Sequence, residues 1–413
     1  MASTSVQDQV RSGEELDLYY YDAETSKRQT FPTTQNTKYI QQFANLTGGS
    51  SVFTISPANG VQDVVCSLTF AGLSSYTGLA LNRGWGYSLV NKVSFRYGGS
   101  SQYFLTGDQI LQNALRDQTS RSSMDDILTL GGNVVDNTTT TNVDLTANIV
   151  LVLPHNTASG VNKQHPFPSD CLTQQIQITI ELNPPASIWS VISPAVAPTG
   201  LKDANFRLQQ VMFNNQGDAL PRRVDLATNA YAFPCEFVQQ KQVIKLANSA
   251  TSQSVVLTGF RAGEVKSIEM WLTRDADTST PANGVNPFNW VVPKSVVMTY
   301  AGDIYARYEQ SSSQLFNLIN DNKAPAFDNV VLSNGGSNFT STPVSNGWVH
   351  LPFAQTLVDE DAHYILIHGK PITNGIVNLD ITTPSAQSDW VLNVSYVYNS
   401  TLLVSQGTAD YVF

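Results

Sequence analysis

The stretch Leu89-Val-Asn-Lys-Val-Ser-Phe-Arg-Tyr-Gly-Gly-Ser-Ser-Gln-Tyr103 decides how the chain is read. Val93, Phe95 and Tyr97 fall on one side of an extended backbone and Lys92, Ser94 and Arg96 on the other, the period of a half-buried strand. Gly98-Gly99 turns the chain. Thr106-Gly-Asp-Gln109 then forms a Ser/Thr-x-x-Glu/Gln capping box, and Ile110, Leu111, Ala114 and Leu115 recur behind it at helical spacing. The stretch therefore predicts a strand, a glycine turn and a capped helix.

The same order returns later. Val292-Pro-Lys-Ser-Val-Val-Met-Thr-Tyr-Ala-Gly302 places Val296, Met298 and Tyr300 on one face, Tyr305 follows, and Ser311-Ser-Ser-Gln314 is a second capping box ahead of Leu315, Phe316, Leu318 and Ile319. Further anchors pair in sequence order. Phe31-Pro32 answers to Phe233-Pro234, Ser51 to Ile55 answers to Ser254 to Thr258, and Gly60 answers to Gly263. Lys92, Tyr97 and Gly99 answer to Lys294, Tyr300 and Gly302, and Leu151 to Pro154 answers to Val349 to Pro352. Ile180 and Leu182, with Pro184 and Trp189 beyond, answer to Leu379 and Ile381, with Pro384 and Trp390 beyond; Phe206 to Asn214 answers to Trp390 to Asn399. The unbroken order implies an internal duplication.

A chain of 413 residues is too long for one ordinary core. The expected divisions are an N-terminal arm at 1–30, a first domain at 31–215, a connector at 216–230 carrying Gly217, Pro221 and Arg222-Arg223, and a second domain at 231–413. Each domain holds about eight short strands and one helix. Ile176, Ile178, Ile180 and Leu182 give the cleanest two-residue alternation. Connections are long and uneven, which favours Greek-key wiring over a meander. The expected fold class is all-β: two tandem eight-stranded jelly-roll sandwiches, each with a short inserted helix.

Only 14% of residues are charged and the net charge is −10, so a general electrostatic attraction to nucleic acid is excluded. Lys27-Arg28 and Arg222-Arg223 read as solvated turns. Cys66, Cys171 and Cys235 are odd in number and widely spaced, with no C-x-x-C, so no disulfide framework is expected. The polar N-terminus carries no signal-like apolar segment, and no apolar run approaches bilayer length. A soluble protein made in a reducing cytosol or nucleus follows, and the Asn45-Leu-Thr and Asn393-Val-Ser triplets then read as chance. In the arm, Glu14 to Asp22 is acidic and holds three consecutive tyrosines, which suits docking on protein rather than on a genome.

A tandem jelly roll of this plan resembles the double jelly-roll major capsid proteins of tailless icosahedral double-stranded DNA viruses. The resemblance covers residues 31 to 413. Its most specific part is Tyr87 to Ser100 with Gly107-Asp-Gln-Ile-Leu111, which is similar to the stretch carried there by virophage and polinton-type capsid proteins; Pro166-Phe-Pro168 is similar to a segment late in their first jelly roll. The resemblance implies a homotrimeric capsomer with six similar lobes, a trimer–trimer lattice, penton and minor capsid proteins as further partners, and the virion as location. It implies no cofactor and no sequence-specific binding of nucleic acid. It leaves membrane contact and the lineage open. The chain is short for the group, so tower-like insertions are not expected.

Jelly rolls also build enzymes and lectins. His155, His165, His350, His363 and His368 contain no H-x-H, so a cupin metal centre is not expected. Asp125-Asp126 and Asp359-Glu-Asp361, the acidic clusters, read as solvated loops rather than as a glycosidase pair or a calcium site. No nucleophile-elbow, phosphate-loop or dinucleotide motif occurs. The expected catalytic, cofactor-binding and metal residues are therefore none. The alternative function is a carbohydrate-binding β-sandwich, with Trp85, Trp271, Trp290 and Trp348 as stacking faces.

Overall fold

A computed structural model gives the structure. The described residues are 21–22, 27–28 and, with interruptions, 33–213 and 230–412; the interruptions include 157–166, 186–189, 192–199, 275–292, 310–348 and 358–365. The first-half strands are β1 (Thr33–Gln35), β2 (Tyr39–Gln42), β3 (Gly49–Ile55), β4 (Gly60–Phe70), β5 (Val90–Arg96), β6 (Tyr103–Thr106), β7 (Leu145–Leu151), β8 (Ile176–Leu182) and β9 (Asp203–Phe213). The second-half strands are β10 (Ala230–Val238), β11 (Gln242–Lys245), β12 (Ser252–Leu257), β13 (Glu264–Arg274), β14 (Ser295–Tyr300), β15 (Asp303–Glu309), β16 (Val349–Pro352), β17 (Val377–Thr382), β18 (Trp390–Ser405) and β19 (Thr408–Val412).

The first half is a sandwich of two large antiparallel sheets, and a small third sheet joins Leu79–Leu81 to Val135–Asp136 and Ser190–Val191. Of the large sheets, one runs β7-β4-β9-β1 with β2 also on β9, the other β3-β8-β5-β6. The second half repeats this order: β16-β13-β18-β10 with β11 also on β18, and β12-β17-β14-β15. From β3 to β5, from β6 to β9 and from β12 to β14, and across residues 310–348 from β15 to β18, consecutive strands are dealt to opposite sheets, the Greek-key wiring predicted from the uneven loops, while β5-β6, β14-β15 and β18-β19 are hairpins within one sheet. Alternation does the sorting. Ile176, Ile178, Ile180 and Leu182 point inward while Gln177 is exposed, and Phe53 stacks on Phe206 across the core at 4.3 Å between ring centroids.

The halves share a register. Phe95 faces Ile178 and Val93 faces Ile180, as Met298 faces Leu379 and Val296 faces Ile381. Counting on places Tyr97 on Tyr300, as the sequence predicts. A bulge fixes the other sheet: Gln62 is the extra residue of β4 against β9, and Lys266 that of β13 against β18. Several sequence anchors are displaced against this frame. Ile55 corresponds to Leu257 rather than Thr258, Lys92 to Ser295 rather than Lys294, and Phe206 to Val394 rather than Trp390. Hydrogen-bond register, and not residue identity, sets equivalence in a sheet.

The Gly98-Gly99 turn is present, with positive φ at both residues. The helix predicted after Thr106 is α2 (Gly107–Arg116), preceded by a short buried α1 (Trp85–Leu89) and followed by α3 (Arg121–Leu130). The Thr106 N–H donates to Gln109 Oε1 at 3.2 Å, closing half of the predicted capping box, and the Thr106 hydroxyl bonds the Asp108 carboxylate. The counterpart helix after Ser311 lies outside the described residues, as do Phe31-Pro32 and 216–229 of the connector. Asp125-Asp126 stand on α3 rather than in a loop, and Lys27-Arg28 pair with Tyr21-Asp22 as a two-stranded ribbon rather than a bare turn. Gly131 and Gly132, which follow α3, are buried: the Gly86 N–H donates to the Gly131 carbonyl at 2.8 Å and the Gly84 N–H to that of Gly132 at 2.7 Å. No helix among the described residues is long and apolar enough to cross a membrane.

Candidate functional site

Of the residues that sequence reasoning weighed for chemistry, His155, Trp85 and Trp271 are engaged structurally. His155 is buried, with Nδ1 2.9 Å from the Tyr97 hydroxyl and Nε2 3.1 Å from the Val61 carbonyl. A carbonyl only accepts, so Nε2 carries the proton and Nδ1 accepts from Tyr97. Both ring nitrogens are occupied, which removes them as metal ligands. Phe167, the centre of Pro166-Phe-Pro168, bridges to Val61 and packs edge-on against Tyr97 at 5.1 Å. Among the described residues no group of His, Cys, Asp and Glu is placed to hold a metal. Trp85 and Trp271 are 2% and 1% exposed, so neither offers a stacking face. Asp126 is exposed on α3; His350 and His368 stand in strands; His165, His363, Trp290, Trp348 and Asp359-Glu-Asp361 lie outside the residues whose side chains are described.

What the structure does assemble is a seam between the sandwiches. The first turn of α2 lands on the outer face of the β13-β18 sheet. Gln109 is fully buried there, and its Nε2 donates to the Gln239 carbonyl at 2.9 Å and to the Ser395 hydroxyl at 3.0 Å. Lys241, just before β11, donates to Asp108 at 2.6 Å. Above them lies an aromatic cluster. The Tyr103 ring sits 4.9 Å from Phe237 and 5.6 Å from Tyr411, and its hydroxyl accepts from the Val238 N–H at 3.3 Å. The hairpin from β18 to β19 then reaches back: the Thr173 N–H and hydroxyl both donate to the Gly407 carbonyl, at 2.8 and 3.0 Å. Gly407 has φ +76, and an added Cβ would collide with Thr173, so only glycine fits that turn.

This landing covers a face that an isolated sandwich leaves wet. Ser267, Glu269, Trp271, Asn393 and Ser395 alternate with the core residues Ile268, Met270, Leu392 and Val394, yet both sets are buried. No local pattern announced the seam. Trp390 to Tyr398 is buried without a break, as a strand covered on both faces is.

Burial also governs ionisation. It pushes Cys66 far above the ordinary thiol range and Cys235 up to about 12, and it raises Tyr87, Tyr97 and Tyr411, the last two further by the neighbouring Cys235. Each folded-state value is raised and each neutral form is the acid. The stabilising contribution is therefore complete below the unfolded pKa, about 8.5 for Cys and 10 for Tyr, and is lost as pH rises above it. Urea midpoints should fall steeply as pH rises above ~10. In native protein at pH 8, Cys66 and Cys235 should resist alkylation, as read site by site by mass spectrometry, and should react on unfolding.

No protein-family profile matches the chain, and no curated protein does. Solved structures do. PBCV-1 VP54, in a crystal structure fitted into a reconstruction of the virophage Sputnik, superposes at TM-score 0.63 with 14% identity, over 94% of this chain and 98% of that one. The fold is a double jelly roll. The Faustovirus major capsid protein superposes on the rolls at TM-score 0.59 with 10% identity, over 97% and 94% of the two chains. A chain of the Sputnik virophage cryo-EM structure does so at 0.56 with 13% identity, over 100% and 93%. The likeness extends through both rolls.

Proposed function

We propose that this chain is a major capsid protein of an icosahedral double-stranded DNA virus, and that its role is structural rather than catalytic. Three copies form a capsomer with six similar lobes, and capsomers tile the shell. The observation that carries this reading is that the whole chain, through both rolls, shares its fold with proteins of virus shells. The seam supports it: two rolls locked by buried contacts form one rigid block, which a tiling unit requires and a pair of independent binding modules does not. The carbohydrate-binding alternative loses support with Trp85 and Trp271 buried. Penton and minor capsid proteins are the further partners, the virion is the destination, and synthesis is in the host cytoplasm or nucleus. The acidic arm at 1–30 docks on protein rather than on the genome.

Size exclusion coupled to light scattering, with negative-stain images, tests the reading. Homotrimers of pseudo-sixfold outline are expected at micromolar concentration. A monodisperse monomer that binds immobilised glycans would replace the capsid reading with the carbohydrate-binding one.

A further inference from the structure

His155 stands where the two rolls meet. It lies in the short 3-10 helix Pro154–Asn156, which follows β7 and packs on β10 of the second roll. Its buried ring gathers three segments of the first roll: Tyr97 just past β5 through Nδ1, Val61 in β4 through Nε2, and Phe167 by ring contact at 5.2 Å. Tyr97 in turn lies close enough to Cys235 of β10 for the charge of one to be felt by the other, and both bear in the same way on Tyr411 of β19. The imidazole is thus one hydrogen bond removed from the thiol and aromatic side of the seam.

Both bonded partners are built for a neutral ring. The Val61 carbonyl only accepts, so Nε2 keeps its proton, and the Tyr97 hydroxyl donates to Nδ1, so that atom carries none. A second proton would set Nδ1–H against the hydroxyl hydrogen and leave a cation whose two bonded partners include no carboxylate. The titratable groups gathered on this side of the seam are the phenols Tyr97, Tyr103 and Tyr411 and the thiol Cys235, which already hold their protons; Glu236, beside Cys235, is held by Lys266, and Asp410 is exposed. Histidine is the side chain whose ordinary titration falls between pH 5 and 8. Water satisfies its charged form once the 3-10 helix lifts from β10.

We propose that His155 is an acid-released latch between the rolls: neutral, it ties the 3-10 helix to Tyr97 and seats both against β10; protonated, it frees them and opens the Cys235 side of the seam while each roll stays folded. The open state binds one proton more than the closed one. Opening therefore increases as pH falls through the value of a solvated imidazole, about 6.5, by up to about tenfold per pH unit. The latch is a property of one chain and goes beyond the capsomer reading without resting on it.

Thiol accessibility tests it. In the unaltered full-length chain, the rate at which a dipyridyl disulfide, a reagent that works in acid, modifies Cys235 should rise roughly tenfold between pH ~7 and pH ~5.5, measured relative to an unfolded peptide at each pH. Cys66, in the core of the first roll, should stay protected over the same range. His155→Gln keeps an acceptor for the Tyr97 hydroxyl and a donor for the Val61 carbonyl but cannot titrate, and its Cys235 rate should be the same at both pH values. Exposure of Cys235 and Cys66 together in acid, a Cys235 rate that ignores pH, or an unchanged pH profile in a folded His155→Gln chain would each overturn the latch. The first two results are read on the unaltered chain and hold even if the variant misfolds. Monomer and trimer serve equally, so the capsid reading stands or falls separately.

Discussion

Tyr103→Ala should lower the stability of the folded chain by about 3–5 kcal/mol, the range for removing a buried aromatic side chain. Tyr103 is 2% exposed. Its ring joins Phe95 of its own roll, at 6.0 Å, to Phe237 and Tyr411 of the other. Its hydroxyl also partners the Val238 N–H, a buried bond that the substitution would break. The loss should be cooperative, because the same ring belongs to both rolls. Tyr103→Phe separates the contributions: it keeps the packing and should cost only about 1–2 kcal/mol for the hydrogen bond. Urea denaturation followed by tryptophan fluorescence measures both. A Tyr103→Ala midpoint equal to the parent's would mean that the rolls hold together without this cluster.

A loss of similar size is expected for Glu236→Ala. Glu236 on β10 pairs with Lys266, the bulged residue of β13, and their side chains are only 6% and 10% exposed. Removing one partner of a buried pair strands the other charge, at a cost of about 3–5 kcal/mol. The pair itself carries little net stability, because each charge had to leave water. Replacing both residues with apolar ones of similar volume, Glu236→Leu with Lys266→Met, should therefore restore most of what the single change removes. The double variant's urea midpoint decides: if it is no better than Glu236→Ala alone, the pair is needed for the bulge geometry.

The strands and their duplication were legible because burial leaves a two-residue period. Ile176 to Leu182 and Val93 to Tyr97 declare their inner face without any partner in view. α2 was legible through Thr106 and Gln109. α1 left no such mark: its N-cap is Gly84, at φ +75 and with no side chain to cap the helix. α3 did leave one, since Met124, Ile127 and Leu128 have helical spacing, but the Asp125-Asp126 pair between them drew the reading toward a loop. The anchors that slipped by a residue or more, Lys294 and Thr258 among them, slipped because similar side chains recur along a strand whereas register is fixed across it. The seam was illegible for a different reason. Gln109 with Ser395, and Thr173 with Gly407, are partners only after both rolls exist, and a glutamine or a threonine is an ordinary surface residue until something covers it.

The hairpin that reaches back to Thr173 sets an order of events during synthesis. Gln109 leaves the ribosome 286 residues ahead of Ser395, and Thr173 leaves 234 residues ahead of Gly407. At roughly 5–20 residues per second, the first roll waits on the order of 15–60 s before the glutamine face of α2 can meet Ser395. During that interval its nearest complementary surfaces belong to other nascent chains on the same message. Translation speed between the rolls, and the chaperones that meet the first one, thus decide how often a chain closes on itself rather than on its neighbour.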